Sequence, residues 1–383
     1  MSNGDFITVH ATMSAMFDSR INQLKKQVKK EKLDAVFISD VSNISYLSGF
    51  TNFSKDEREA YLFVGHDFGY IITDGRYSEA VKNQVPHLTL FERGHKKGTE
   101  DLFKKHKKEI KILGIEEDNL TVAEHKVLKK HFKKLKNFDV SRLRIVKVKE
   151  EIEKIKKACE LGDKAFKYIL TKLKIGITEK EIAQNLEKIF KEQGAEFSFP
   201  TIVAFGKNSS VPHHQTGNTK LKDGDFVLLD LGARVDNYCS DMTRVVFFGS
   251  PSDRQKEIYT VVLEAQKKAV DFINKQISRA SLRVKSGKKV KASEVDKVAR
   301  EYIKSQGFPD IPHSLGHGIG LEVHEHPSLS PKSKEELKEG MVFSIEPGIY
   351  IPDFGGVRIE DLYVLEKKGL RQLTTSSKAI FKL

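Results

Sequence analysis

The sequence predicts two domains, a smaller α/β domain in the N-terminal part and a larger α+β domain in the C-terminal part. The chain has 383 residues, which is long for a single domain. Its first part alternates short apolar runs with helical segments. Its second part groups long helices and antiparallel strand pairs in separate blocks. We expect the domains to cover residues 1–147 and 148–383.

The N-terminal elements follow from apolar runs that turn residues separate. A helix is predicted near residues 16–31, followed by the strand DAVFIS and the apolar segment NISYLSGF. The strands AYLFVG and YIITDG flank a turn at residues 65–67, and helices follow around 78–84 and 99–108. The strand KILGIE and a lysine-rich helix from Val122 complete this domain.

The C-terminal part opens with a long helical pattern that Gly176 ends. Thr178 and Glu181 form a capping box at the start of the next helix. A weak internal repeat follows, in which each half runs from helices to an antiparallel strand pair that carries two acids. These acids are Asp230 and Asp241 in the first half, and Glu346 and Glu360 in the second.

The composition argues against several function classes. The net charge of +13 comes mostly from Lys at helical spacing, which is typical of the solvated face of amphipathic helices, and no nucleic-acid-binding motif accompanies it. Two Cys provide no disulfide framework and favour a reducing compartment. The N-terminus does not have the pattern of a secretory signal, and no apolar run is long enough for a membrane span.

The four acids of the repeat lie inside apolar, strand-like runs. An ionised carboxylate in a buried strand is costly unless a positive charge lies beside it. The runs do not contain a matching set of Lys or Arg, so a bound metal is indicated as the positive charge. A turn centred on 235–236 would place Asp230 directly opposite Asp241. A turn centred on 236–237 would shift the partner by two positions and keep both acids on one face.

The second strand pair repeats this arrangement. A loop centred on Asp353 places Glu346 opposite Glu360, and the sequence IPDFGG supplies the Pro and Gly that such a loop favours. His317 lies in the glycine-flanked segment GHGIG, which we interpret as a loop. Four carboxylates and one imidazole suit two divalent ions better than a lone structural zinc. Manganese, cobalt, iron and zinc are all compatible with these ligands.

Neighbouring side chains fit a supporting role. By strand alternation Arg358 shares the face of Glu360, and Thr243 that of Asp241, so both are expected to orient the acids. An internal ion pair of Arg358 with Asp361 or Glu360 is the alternative. Three histidines could donate to a substrate carbonyl or an oxyanion, namely His213, His313 and His324. We interpret His214 and His326 as ordinary polar residues and Cys239 as a packing residue.

These motifs together resemble a known family. The runs SSVPHH, DLGARVDNYCSDMTR, HSLGHGIGLEVHEHP, SIEPGIYI and GVRIED look like those of the Xaa-Pro peptidases, aminopeptidase P and prolidase, of the "pita-bread" metallopeptidase clan. The resemblance covers the whole second part, and NISYLSGF and TDGRY resemble the family's N-terminal domain less specifically. It implies a pita-bread catalytic domain with a pseudo-twofold repeat.

The resemblance also implies a role for each ligand. Asp230 would chelate one metal, Asp241 and Glu360 would bridge both, and His317 with Glu346 would hold the other. Mn²⁺ or Co²⁺ are the expected ions, with Zn²⁺ or Fe²⁺ as alternatives.

Catalytic and substrate-binding roles are implied in the same way. Glu346 would act as the general base, and His324 and His213 would stabilise the tetrahedral intermediate or bind the substrate carbonyl. His313 would lie by the proline pocket, and Tyr350 and Arg358 would occupy supporting positions near the metals.

The expected protein is a cytoplasmic, homodimeric exopeptidase acting on proline-containing peptides, without nucleic-acid or membrane partners. We favour aminopeptidase P over prolidase, because a dipeptidase needs a cation for the free carboxylate of its substrate. The one buried-face cation near the motifs, Arg358, is expected to be engaged by acids. A cation from a partner subunit, such as Arg58 or Lys55, is an open alternative. A non-catalytic peptide- or protein-binding module is the alternative from another class, and the filled ligand set argues against it.

Overall fold

The computed structural model describes residues 3–94, 98–282 and 289–380, without the side chains of residues 1–14 and 279–282. The chain divides into two compact units, Met1–Arg144 and Ile145–Leu383. The limits of 1–147 and 148–383 given above stay a prediction.

The N-terminal unit is built on a mixed sheet whose strands lie in the order β4-β3-β2-β1-β5-β6. Its described strands are β1 (Ala35–Ile38), β2 (Tyr61–Gly65), β3 (Gly69–Asp74), β4 (Thr89–Arg93), β5 (Ile112–Ile115) and β6 (Lys134–Asn137). Its described helices are α1 (Asn3–Lys30), α2 (Val41–Ser48), α3 (Ser78–Gln84), α4 (Thr99–His106) and α5 (Val122–His131). The pairs β1–β2 and β2–β3 are antiparallel and the other neighbours are parallel.

The segment NISYLSGF lies in helix α2 and the turn after it. Asp40 caps this helix by accepting a hydrogen bond from the backbone N–H of Asn43, and Gly49 ends it with a φ of 78°. Helix α1 begins at Asn3, well before the predicted start at residue 16, because no proline interrupts the residues between Asn3 and Met16. Stacked and edge-to-face aromatic rings fill the sheet's core, with Phe37, Phe63 and Phe103 in mutual contact.

The C-terminal unit combines helices with several antiparallel strand groups. Its described helices are α6 (Lys149–Leu170), α7 (Glu179–Glu192), α8 (Asp253–Leu282) and α9 (Ala292–Ser305). The strands of its first half are β7 (Glu196–Phe197), β8 (Ile202–Phe205), β9 (Phe226–Leu231), β10 (Ala233–Val235), β11 (Tyr238–Cys239) and β12 (Met242–Phe247). Those of its second half are β13 (Gly316–Gly318), β14 (Glu325–Leu329), β15 (Val342–Ile345), β16 (Gly348–Ile351), β17 (Gly355–Arg358), β18 (Asp361–Glu366) and β19 (Gly369–Gln372).

Each half of this unit contributes one larger sheet. The first has the order β12-β9-β8 and the second the order β14-β13-β15-β18-β19. Helices α8 and α9 pack with strands of both sheets in one apolar cluster, which includes Ile258, Val262, Ala299, Leu228 and Phe343. Helices α6 and α7 cover the first sheet in a second cluster. The α/β and α+β architecture predicted from the sequence is therefore confirmed.

The turn of the first strand pair has its centre at Asp236–Asn237. Both residues have positive φ, 49° and 68°, which makes a tight two-residue turn that asparagine and aspartate tolerate. In the resulting register Thr243 lies opposite Asp230. Of the two predicted turn centres, the structure therefore has the one at 236–237.

The second hairpin has the predicted register. Val342 lies opposite Val364 and Ile351 opposite Gly355, and continuing the same ladder pairs Glu346 with Glu360. The ladder is interrupted at these two acids, whose backbone N–H groups donate instead to Leu315 and Thr243. Glu346 and Glu360 therefore do not form regular ladder hydrogen bonds with each other.

Candidate metal centre and active site

A cavity of about 1060 Å³ in the C-terminal unit contains the predicted metal ligands in its wall. The lining includes all five of them, Asp230, Asp241, His317, Glu346 and Glu360. Three of these, Asp241, His317 and Glu360, each offer one ligand atom within 4.8 Å of the others. The structure thus brings together residues that lie up to 130 positions apart in the sequence, from Asp230 to Glu360.

His317 lies in the short strand β13 and not in a loop, which corrects the sequence interpretation. Its two glycine neighbours allow this, because a Cβ on Gly316 would lie 2.0 Å from the carbonyl oxygen of Ser344, and one on Gly318 equally close to that of His326. The Nδ1 of His317 lies 3.1 Å from the carbonyl oxygen of Gly318 and donates to it. This leaves Nε2 as the nitrogen that faces the acids.

The Nε2 atom of His317 has three carboxylates around it. It lies 3.2 Å from Oε1 of Glu346, 3.7 Å from Oδ2 of Asp241 and 4.0 Å from Oε1 of Glu360. Burial acts to lower the pKa of His317, but the hydrogen bond and charge of Glu346 outweigh it and raise the pKa to about 9. The same pairing outweighs burial in Glu346 and lowers its pKa to about 2.

The other three acids of the cluster all have raised pKa values. Burial first, and then the charge of Glu360, raise the pKa of Asp241 well above its usual range. Burial and the charge of Glu346 do the same to Glu360. Burial also raises the pKa of Asp230, although Arg358 opposes the shift. These carboxylates repel one another, so a concentrated positive charge among them would stabilise the ionised forms.

The donor set fits divalent metal ions. Within the described part of the chain, three buried carboxylate oxygens have no hydrogen-bond partner, and they belong to Asp230, Asp241 and Glu360. Buried polar atoms are nearly always paired, so three unpaired oxygens beside one imidazole nitrogen indicate that a further partner binds there. Oxygen ligands with one imidazole are the set that hard or borderline divalent cations prefer.

Arg358 organises one side of the cluster. Its Nη2 donates to Oδ2 of Asp230 at 2.6 Å, its Nε to Thr243 at 3.0 Å, and its Nη1 to the hydroxyl of Tyr350 at 2.9 Å. Thr243 in turn donates to Oε2 of Glu360 at 2.7 Å. Arg358 and Thr243 therefore donate to Asp230 and Glu360, and the ion-pair partner of Arg358 is Asp230 and not Asp361 or Glu360.

Asp361 faces the opposite side and belongs to a buried network that sequence reasoning missed. Arg244 donates to it at 2.5 Å, and the ammonium of Lys378 lies 2.7 Å away. Arg244 also donates to the carbonyl oxygen of Glu360 at 2.5 Å and so fixes the backbone of that acid. The sequence signal that could have revealed this network is Arg244, a charged residue in the apolar strand MTRVVFF.

The three candidate substrate histidines all line the cavity. His313 lies 2.8 Å from the carbonyl oxygen of Ser314 through Nδ1, and 2.9 Å from the Tyr350 hydroxyl through Nε2. Both of its ring nitrogens are thus engaged within the protein, and its donation to a substrate carbonyl stays a prediction. His213 and His324 are exposed to the cavity, and neither has a hydrogen-bond partner among the described residues.

His324 lies beside the ligand cluster. Its ring centroid is 4.4 Å from that of His317, and the planes are inclined by 68°. Burial and then the charge of His317 lower its pKa, so the ring is neutral at pH 7 and carries one N–H donor.

The histidines interpreted as ordinary polar residues both have partners. Nε2 of His214 lies 3.0 Å from Glu179, and Nδ1 of His326 lies 3.1 Å from Glu335. Cys239 is fully buried with its Sγ 3.7 Å from the carbonyl oxygen of Leu321.

Comparison with known proteins identifies the family of this arrangement. The sequence profile named "Metallopeptidase family M24" matches residues 153–367, and the profile named "Creatinase/Prolidase N-terminal domain" matches residues 20–146. This chain belongs to metallopeptidase family M24. The ligand cluster lies within the M24 match, and the expectation of a pita-bread fold with a separate N-terminal domain is confirmed.

Similar M24 proteins carry related names. An Xaa-Pro dipeptidase of Pyrococcus furiosus is 38% identical over 374 residues, which cover 94% of this chain and 99% of that protein. The solved structure of an Xaa-Pro dipeptidase from Bacillus anthracis has a TM-score of 0.85 at 34% identity, covering 95% and 99% of the two chains. That of an X-Pro aminopeptidase from Thermotoga maritima has a TM-score of 0.78 at 35% identity, covering 92% and 98%.

Among the described residues, no helix is both long and apolar enough to span a membrane.

Proposed function

We propose that the chain is an Xaa-Pro dipeptidase that uses two divalent metal ions. The observation that carries the proposal is the buried group of acids and one histidine with unpaired carboxylate oxygens, which lies in a cavity of an M24 fold. The named relatives support the dipeptidase reading more than our initial preference for aminopeptidase P.

The five ligands would hold the ions as the resemblance implies. Metal ions bound there would supply Lewis-acid polarisation of the scissile carbonyl and of the attacking water. The remaining steps belong to this chain's own residues. Manganese or cobalt are our proposed ions, and the cytoplasmic location and the homodimer stay predictions.

Glu346 would move the proton. It is ionised at neutral pH, and its carboxylate would accept a proton from the attacking water. The C–N bond to proline then breaks, and Glu346 gives the proton to the leaving nitrogen. His324 would donate its N–H to the oxyanion that forms on the carbonyl, and His213, which lines the same cavity, would bind there as well.

A proline leaving group explains why a dedicated site is needed. Proline has no amide N–H and its φ is fixed, so an extended substrate cannot pair with the enzyme in the usual way. The site must instead bind the ring through its shape. His313 and Tyr350, fixed to one another and to Arg358, would form a rigid wall for that ring.

Recognition of a dipeptide also requires a cation for its free carboxylate. Two Lys or Arg side chains line the cavity in the described part of the chain, Arg358 and Lys180. Arg358 is engaged by Asp230, Thr243 and Tyr350. Lys180 is exposed at the start of α7 and makes no ion pair with a described acid, so it supports the dipeptidase reading.

The decisive experiment compares kcat/KM of metal-loaded protein for an Xaa-Pro dipeptide and for the same peptide extended by two residues. A dipeptide preference above about tenfold, roughly 1.4 kcal/mol of transition-state binding, is expected. The Lys180→Met variant should lose this preference while it keeps its rate on the prolinamide Xaa-Pro-NH₂.

Aminopeptidase P remains the second candidate, because the similar Thermotoga maritima structure is an X-Pro aminopeptidase. A preference for the extended peptide would establish it in place of the dipeptidase. Binding of both peptides without hydrolysis, in protein whose metal content has been verified, would instead favour the non-catalytic module.

A further inference from the structure

Glu179, the first residue of helix α7, is a carboxylate with no exposure to solvent. Its Oε1 accepts hydrogen bonds from the backbone N–H of Phe205 at 2.9 Å and from the side chain of Asn208 at 2.8 Å. Its Oε2 accepts from the backbone N–H of Gly217 and from Nε2 of His214, both at 3.0 Å. Donors from a single segment of the chain, residues 205–217, therefore occupy all the acceptor positions of this buried carboxylate.

This segment also forms part of the cavity wall. His213 lies next to His214 and lines the same cavity as the metal-ligand cluster. One further backbone hydrogen bond joins helix and segment, from the N–H of Lys180 to the carbonyl oxygen of Gly217 at 2.9 Å. The N–H of Glu179 donates to the carbonyl oxygen of Thr219, two residues after the segment, at 3.1 Å. The start of α7 thus holds the segment at both of its ends.

A second anchor lies on the inner side of the same segment. Nη1 of Arg358 donates to the carbonyl oxygen of Pro212 at 3.3 Å, and Nη2 of the same guanidinium binds Asp230. His213 therefore follows directly after a residue that is bound to the ligand cluster, and precedes one that is bound to Glu179. Both chain neighbours of His213 are therefore anchored, one by Arg358 and the other by Glu179.

Because Glu179 is charged, its hydrogen bonds hold residues 205–217 more firmly than those of an uncharged turn would. A buried carboxylate is costly unless it is fully hydrogen-bonded, so any movement of the segment would leave the charge unsatisfied. In the described part of the chain, the titratable side chain that donates to Glu179 is that of His214. The pair lies outside the ligand cluster, and the peptidase mechanism above does not use it.

We propose that Glu179 is a positioning residue for the peptidase reaction, which acts through His214 and the backbone of residues 205–217 to fix His213 against the substrate. The inference rests on the proposed function, because His213 is assigned to the substrate only by that function. It predicts that substitutions of Glu179 and of His213 affect the same step.

The test uses Glu179→Gln, which keeps the size of the side chain but replaces the acceptor of His214 and Gly217 by an NH₂ donor. Glu181→Gln is the matched control, because Glu181 caps the same helix through Thr178 and is not bonded to the segment. Glu179→Gln should lower kcat/KM on an Xaa-Pro dipeptide by about tenfold or more, and Glu181→Gln by less than about twofold.

The positioning role is distinguished from a general structural role by a double-mutant cycle. In a His213→Ala background, Glu179→Gln should have little further effect, because the group through which it acts is already gone. Metal content should be unchanged in all variants. Amide hydrogen exchange at Phe205 and Gly217 should become faster in Glu179→Gln and not in Glu181→Gln.

The outcomes separate the two proposals. If the unaltered, metal-loaded chain does not hydrolyse Xaa-Pro bonds, the proposed function fails. If it does, but Glu179→Gln matches Glu181→Gln or its effect adds in full to that of His213→Ala, the positioning role is wrong. Should Glu179→Gln not fold, His214→Ala removes one of the four contacts and must show a smaller effect that also disappears in the His213→Ala background.

Discussion

His317 and His324, seven residues apart in the segment GHGIGLEVHE, differ in what their ring nitrogens face. His317 turns Nε2 towards three carboxylates, and its other nitrogen is fixed by the carbonyl oxygen of Gly318. Among the described residues, no carboxylate forms a hydrogen bond or ion pair with His324, and its lowered pKa makes it a neutral donor. The first is therefore expected to bind metal and the second to contact substrate.

This difference is directly testable by substitution. His324→Ala should lower kcat by roughly 10²–10³ with both metals retained, as expected for the loss of an oxyanion donor. His317→Ala should lower metal content as well as rate. Elemental analysis beside steady-state kinetics makes the comparison, and loss of metal from His324→Ala would show that His324 is a ligand.

A second residue-scale prediction concerns Glu116 in the N-terminal unit. Burial raises its pKa to about 7 and the charge of Asp40 adds to this, although backbone N–H groups of Ser39 and Asp40 donate to it. A raised carboxyl pKa contributes stability that is present below the unfolded value of 4.5 and is lost as the pH rises through about 7.

The corresponding measurement is the free energy of unfolding between pH 4.5 and 7 for the unaltered chain and for Glu116→Gln. The variant has no titrating group at this position. Its stability should therefore fall less over this range, by a difference of about 3 kcal/mol. Parallel pH profiles would contradict the raised pKa.

Most site residues could be predicted from the sequence because acids in apolar strands are conspicuous. Their partners were harder to predict. Asp230 binds Arg358 across 128 positions, and only the packing of separate hairpins brings them together. Glu179 could not be predicted, because the local sequence shows only a first-turn acid beside the capping residue Thr178 and not the distant segment that covers it.

At the scale of elements, local chemistry predicted the hairpins well. The Asp236–Asn237 turn fixes the register of the first, and the loop around Asp353 that of the second. Local patterns misplaced His317, because a glycine-rich run suggests a loop. Here the glycines serve the close approach of strands β13, β14 and β15.

A buried ion pair joins two elements of the C-terminal unit that are far apart in sequence. Lys147, just before α6, lies 3.0 Å from Glu325, the residue after His324, and both side chains are almost fully buried. Breaking such a pair leaves an unpaired buried charge. Lys147→Met should therefore destabilise the protein by about 3–5 kcal/mol.

The matched control is Lys188→Met, which removes an exposed pair with Glu192 at 3.8 Å. Exposed pairs contribute little, so its cost should stay below about 1 kcal/mol. Urea unfolding followed by circular dichroism compares the two variants. Equal midpoints would show that the Lys147–Glu325 pair does not hold the His324 segment.

For the whole molecule, metal removal should affect stability as well as activity. The acids of the cluster repel one another and are buried, so bound cations favour the folded state by mass action. Chelation should abolish hydrolysis and lower the melting temperature, and Mn²⁺ or Co²⁺ should restore both. Calorimetry on protein whose metal content has been verified tests this, and an unchanged melting temperature after complete removal would contradict it.

The charge of the whole molecule leads to the last prediction. The net charge of +13 is large, but it arises from Lys spread over many helices, including α4, α5 and α6, whose exposed Lys alternate with buried apolar residues. Such a surface attracts nucleic acid only through its phosphates. Binding to DNA should therefore be weak, independent of sequence and steeply dependent on salt, because each contact releases counterions. Fluorescence anisotropy with two unrelated duplexes should show equal affinities that fall together as the salt is raised towards about 200 mM. A complex that survives this salt and prefers one duplex would show that the basic surface is a specific binding site.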